Sequence, residues 1–220
     1  MANGPRMIAF ASPYFWYITR GTGIVALLLI TLVVTLGTLV ANRIGGTFVG
    51  RFELNELHRS VSMVAMLFLI LHILTTVIDS YVSTGLISAF VPMTSAYKTV
   101  PIAIGAVGFD LLLCVWISSL LKVRIKNESW RFIHWFSWLA YASAIIHSYM
   151  SGSDAHSGAG LVLVAGCAGI VLCVALWRYF ARPERAAGRT ALSPIPRGKT
   201  IPQRTESFPR ATSKQKTRRR

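Results

Sequence analysis

Thr22 to Ala41 is 20 consecutive residues without a charge. Wound as an α-helix, that run rises about 30 Å, the thickness of a bilayer's hydrocarbon layer. Four more runs of the same kind follow: Ser60–Ile78, Thr99–Leu121, Phe132–Met150 and Ser157–Trp177. The second carries His72, the third Asp110, and the fourth both His134 and His147. Pro101 stands near the start of the third, where the first helical turn tolerates it. The expected fold is all-α, a polytopic transmembrane helical bundle of five spans.

Composition agrees. Of the 220 residues, 53% are hydrophobic and 14% charged. A water-soluble domain this apolar would lack polar surface to cover itself, and a chain this apolar is not disordered over most of its length. Cys114, Cys167 and Cys173 all lie inside apolar runs, form no C-x-x-C pair, and read as small packing residues.

The charges set the topology. Lys and Arg number 23 against 8 Asp and Glu. Twenty of the cations fall in three places: between the first and second spans, between the third and fourth, and after the fifth. Only Arg6, Arg20 and Lys98 lie on the other side. Cytoplasmic segments carry the excess of Lys and Arg. The N-terminus is therefore expected outside and the C-terminus in the cytoplasm, as an odd span count requires. A multi-pass protein of the cytoplasmic (plasma) membrane is the reading.

Three regions follow. Residues 1–19 form a short interfacial segment, with Tyr14, Phe15, Trp16 and Tyr17 suited to the headgroup belt. A cleaved signal peptide fits less well, because the start is not strongly basic and Thr22–Ala41 is too long for an h-region. Residues 20–180 form the membrane domain. Residues 181–220 form a basic tail rich in Pro, Ser, Thr and Arg, expected to be disordered, to anchor topology and to meet anionic membrane lipid. Nucleic acid is not the expected partner. A tail of this length falls short of a flavin or nicotinamide domain, on the order of 100 residues, so no bound flavin or NAD(P) is expected on this chain.

The histidines carry the chemistry. His58 and His72 are 14 residues apart on the second span, and His134 and His147 are 13 apart on the fourth. Each pair is separated by about 20 Å along its helix. Both helices run from cytoplasm to outside, so the four rings form two tiers, His58 with His134 and His72 with His147. Imidazole is a good ligand for haem iron, and two facing imidazoles fill both axial positions. A haem so held has no open site and passes electrons one at a time. Intramembrane polar residues are costly and usually functional, although a single such histidine is as well explained by a bond between helices. One check is imperfect. Fourteen residues return to within about 40° of one helix face, whereas 13 leave His134 and His147 about 140° apart. Either the fourth helix is distorted or the two haems lie against different flanks of it.

The His58-Arg59 pair, the step to His72, the motif Trp130-Arg131-x-x-His134 and the step to His147 resemble the ferric reductase-like transmembrane domain. That superfamily includes the membrane halves of NADPH oxidases and ferric reductases, and the haem-binding membrane subunit serving a periplasmic methionine sulfoxide reductase. The resemblance covers roughly residues 17–178. It implies two haem b groups, the inner on His58 and His134 and the outer on His72 and His147. Larger members have six spans and a cytoplasmic flavin and NADPH module, so the donor here is open. A separate flavin reductase or membrane quinol would supply electrons, and an extracytoplasmic protein, a ferric chelate or dioxygen would take them.

Other residues carry two readings. Arg59 and Arg131 flank the inner histidines and suit haem propionates, or simply anchor the cytoplasmic side. Arg20, at the outer mouth against the charge rule, suits an outer propionate or another anion. Asp110 is mid-span, either protonated and hydrogen-bonded or part of a proton path. Asp79 reads as a solvated helix end. His156 reads as a solvated loop residue, or as a contact at the outer exit. Gly21-Thr22-Gly23 imitates a dinucleotide fingerprint but follows no strand, and is discarded. The expected function is electron transfer by the membrane subunit of a reductase. The alternatives are a self-sufficient quinol-driven ferric reductase and a haem-free scaffold or transporter with structural histidines.

Overall fold

In the computed structural model of the protein, the described residues are 13–41, 50–79, 84–152 and 154–191. They form five α-helices: α1 Pro13–Ala41, α2 Arg51–Ile78, α3 Thr99–Leu120, α4 Asn127–Ser151 and α5 Gly158–Ala191. A single 3-10 turn, Leu86–Ala89, precedes α3. There is no strand among the described residues.

Each expected run falls in its own helix, to within one residue at either end. α1 starts at Pro13, whose fixed backbone angle and missing N–H suit a first helical position. It therefore takes in residues 13–19 of the expected interfacial segment; residues 1–12 lie outside the described residues. α2 opens with Gly50 as its cap, whose N–H donates to the Glu53 carboxylate at 2.9 Å. α5 runs past the expected start of the tail to Ala191, and residues 192–220 lie outside the described residues.

Among the described residues, four helices are long and apolar enough to cross a membrane: Tyr14–Ala41, Phe52–Ile78, Thr99–Leu120 and Gly158–Phe180. The expected Phe132–Met150 run is helical too, but α4 is not among the four by composition. Its sequence explains this. Trp130, His134, Ser137, Tyr141, Ser143, His147 and Ser148 dilute its apolar content. With 25 residues, α4 is longer than α3.

The helices pair as two hairpins, α1 with α2 and α3 with α4. The partners are antiparallel, because His58 near the start of α2 meets Val33 late in α1, while His72 meets Thr19 early in α1. α1 also packs on α4 and joins the hairpins. Among the larger buried side chains, small residues recur in the packing layer: Ala26, Ala65, Ala103, Ala106 and Ala140. Small residues let backbones approach closely where lipid removes the hydrophobic drive between helices. Large apolar side chains such as Leu28, Met63, Leu67, Val162 and Leu172 are instead exposed on the outside, the pattern of a surface that faces lipid.

Between the histidine levels, Tyr141 ties three helices together. Its hydroxyl donates to the Cys167 carbonyl at 2.8 Å and lies 3.1 Å from Thr31 Oγ1. Ile30, Ala65 and Val171 pack around it. Tyr141→Phe removes both contacts and keeps the ring. It is expected to cost about 1 kcal/mol, read as a lower thermal midpoint in detergent.

Candidate functional site

The four histidines meet in two tiers. His58 and His134 have ring centroids 6.4 Å apart, with their planes at 71°. His72 and His147 stand 6.5 Å apart at 76°. In both tiers one ring comes from α2 and the other from α4, and all four are partly buried.

Three of the rings are held in the same way. His58 Nδ1 lies 3.1 Å from the Val33 carbonyl, His72 Nδ1 2.8 Å from that of Thr19, and His147 Nδ1 2.8 Å from that of Pro101. A carbonyl accepts, so Nδ1 carries the proton and Nε2 keeps its lone pair. An outer partner of this type fixes the tautomer and ring orientation of a metal-binding histidine. Each of the three rings also lies against a glycine. A Cβ built on Gly37 would stand 3.1 Å from His58 Cε1, and on Gly23 2.9 Å from His72 Cε1. On Gly105 it would stand 2.6 Å from His147 Nδ1. The neighbouring helix thus supplies both a carbonyl and a seat: α1 for the α2 histidines, α3 for His147.

His134 differs. Its Nδ1 is buried and has no hydrogen-bond partner. Its ring instead stacks on Trp130, one turn earlier in α4, at 4.9 Å and 26°. The 13-residue step accounts for the difference. α4 is α-helical without interruption from Asn127 to Ser151, so its two histidines leave by different flanks. His147 reaches the Pro101 carbonyl and Gly105 of α3, and His134 makes no such hydrogen bond.

Around the His72–His147 tier lies a cavity of about 350 Å³, lined by Gly23, His72, Gly105 and His147 and also by Arg20 and Lys98. Arg20 forms an ion pair with Asp154 and lays its guanidinium over Trp16, 4.9 Å from the ring centroid. Lys98 donates from Nζ to the Ser151 carbonyl at 3.0 Å, bridging the start of α3 and the end of α4. Its backbone is left-handed, φ 40°, a region that costs a non-glycine residue energy and often accompanies functional sites.

The other expected residues fall as follows. Arg59 and Arg131 are exposed. Asp110 is partly buried on α3. His156 is exposed, with its ring 4.6 Å from that of Tyr149. Asp79 corrects the reading of a solvated helix end. It is 2% exposed, and its N–H donates to the Thr75 carbonyl to cap α2. Thr84 and Ser88, from the segment that follows α2, are buried and line the cavity beside Asp79, which takes it out of solvent.

Nothing in the sequence marks Gly23, Gly37 and Gly105 as seats for histidine rings. A glycine within an apolar helix signals only close approach, and nothing local says to what. Lys98 did carry a signal, since with Arg20 it broke the charge bias.

A family model described as ferric reductase like transmembrane component matches residues 22–147. That stretch holds all four tier histidines. No curated protein and no solved structure matches the chain.

Proposed function

The chain belongs to the ferric reductase-like transmembrane family, and from that premise we propose that it moves electrons across the cytoplasmic membrane with two b-type haems. His58 and His134 would hold the inner one, and His72 and His147 the outer. Membership itself implies a multi-pass membrane protein engaged in electron transfer, and members generally bind haem.

One observation carries the finer reading: in both tiers the two imidazoles face each other across a gap that a metal ion held between two ring nitrogens would fill. With a metal–nitrogen bond of about 2 Å and about 1 Å more from ring nitrogen to ring centre, two such ligands place their centroids about 6 Å apart. The separations are 6.4 and 6.5 Å. The donor set suits iron, because neutral imidazoles with Nδ1 tied to carbonyls present a basic Nε2. When bound, a six-coordinate haem supplies one-electron transfer without an open site for substrate. The protein's share is to hold the rings, keep the tautomer and exclude water.

In this reading all five helices cross the bilayer, α4 with its polar side turned inward, the N-terminus outside and the C-terminus inside. Arg20 and Lys98 then lie at the outer mouth, and Arg59 and Arg131 at the cytoplasmic level, where guanidinium groups suit propionates. Electrons enter from a separate flavin reductase or from membrane quinol, and leave to an extracytoplasmic protein or a ferric chelate.

The test is a dithionite-reduced minus oxidised spectrum of the purified protein with a haemochrome count. Two b-type haems per chain are expected. Absence of a b-type band overturns the proposal, and a count of one refutes one tier. Reduction of the haem on adding quinol alone would assign the donor.

A further inference from the structure

We propose that Trp130 is the positioning residue of the inner site, doing for His134 by ring stacking what a carbonyl and a glycine do for the other three histidines. The inference rests on the bis-histidine reading above and goes beyond it.

The argument is a comparison among four rings of one molecule. His58, His72 and His147 each have a carbonyl on Nδ1 and a glycine against the ring, both from a neighbouring helix. His134 has no hydrogen bond at Nδ1, and its ring is not among the atoms nearest to a Cβ built on any described glycine. A ligand ring free to rotate about its bond to the metal defines neither tautomer nor plane. Yet His134 stands at 71° to His58, close to the 76° of the outer pair.

What borders His134 is the indole of Trp130, nearly parallel to it at 4.9 Å. The Trp130 N–H is also buried without a partner, so no hydrogen bond fixes the indole through that atom. Lys122 does bear on it, its ammonium 4.0 Å from the Trp130 ring centroid. Lys122, Trp130 and His134 therefore form a stack running from the α3–α4 turn to the inner ligand. Cation–π attraction holds its first layer and aromatic contact its second. The spacing of four residues is the one that brings side chains together on a helix face.

The claim separates from general packing by what a substitution does to the ring angle. Ferric iron between two imidazoles at a large angle gives a strongly anisotropic low-spin resonance, and turning one ring toward parallel reduces that anisotropy. Trp130→Leu removes the stack and keeps an apolar side chain. Trp130→Phe keeps a stacking ring and removes the indole N–H.

The experiment is electron paramagnetic resonance and potentiometric titration of the purified full-length protein carrying each change, with the outer haem as internal control for folding. In Trp130→Leu the inner resonance is expected to lose anisotropy and its midpoint to shift, or the inner haem to be lost, with the outer signal unchanged. In Trp130→Phe both inner properties are expected to stay as in the unsubstituted protein. An unaltered inner resonance and midpoint in Trp130→Leu overturns the proposal. So does equal disturbance in both variants, which would assign the role to the N–H or to indole volume. If the unsubstituted protein shows no bis-histidine haem, the functional reading itself fails, an outcome distinct from these.

Discussion

His147→Ala is expected to cut the haemochrome count from two per chain to one, with the surviving haem belonging to the inner tier. The reason is geometric. Each tier draws one ring from α2 and one from α4, and His147 faces only His72 among the four. Removing an imidazole leaves a five-coordinate centre at best, and loss of a ligand lowers metal affinity far more than the 10–100-fold cost typical of an outer partner. His72→Ala should give the same spectrum. Loss of both haems from either variant, or of neither, refutes the pairing. His58→Ala and His134→Ala should leave the outer haem instead. Reduced-minus-oxidised spectra of the four single variants, normalised to protein, decide the matter.

Gly105→Val should have nearly as large an effect on the outer haem without touching a ligand. A Cβ there would stand 2.6 Å from His147 Nδ1, closer than any real contact, and the branches of valine add to the crowding. The ring cannot swing aside and still keep its bond to the Pro101 carbonyl at 2.8 Å. Outer-haem affinity should therefore fall by at least about 10–100-fold, the usual cost of disturbing a ligand's outer partner. Gly105→Ala should show a smaller loss, Gly23→Ala a smaller one again, and Gly37→Ala should affect the inner haem mildly, following 2.6, 2.9 and 3.1 Å. Gly166→Ala is the control, because a Cβ there meets nothing within 4 Å. Haem titration of the protein purified without it, followed by absorbance, gives the order. Equal affinities at 105 and 166 would show that the glycine seats do not matter.

Much of this was legible in the sequence, for a simple reason. Bilayer thickness fixes helix length, so Thr22–Ala41 and its fellows declare themselves, and a fixed rise per residue turns 14 and 13 positions into nearly equal heights. That is how the partners His58 with His134 and His72 with His147 could be named without coordinates. The angular mismatch of the fourth helix was legible as well, but its resolution was not. Which neighbour supports His147, and that none of the helices around it does the same for His134, depends on how α3 and α4 are rotated. No local pattern encodes that rotation. α4 shows the opposite limit: its low charge reads as a span, yet its histidines, serines and aromatic residues keep it out of the four helices apolar enough to cross a membrane by composition. Asp79 misled because a carboxylate at a helix end is ordinarily wet, and only the fold of the segment after it shows otherwise.

Among the described residues the main seam between the two hairpins is where α1 meets α4, while α2 faces α4 through the two imidazole pairs and through Ala65 against Tyr141. An iron porphyrin clasped there would act as a rivet through the midline of the molecule, and only the folded chain offers it both rings. Newly made chains would then be secured in proportion to the iron and porphyrin a cell can spare, and those left unriveted would be the first to reach its membrane proteases.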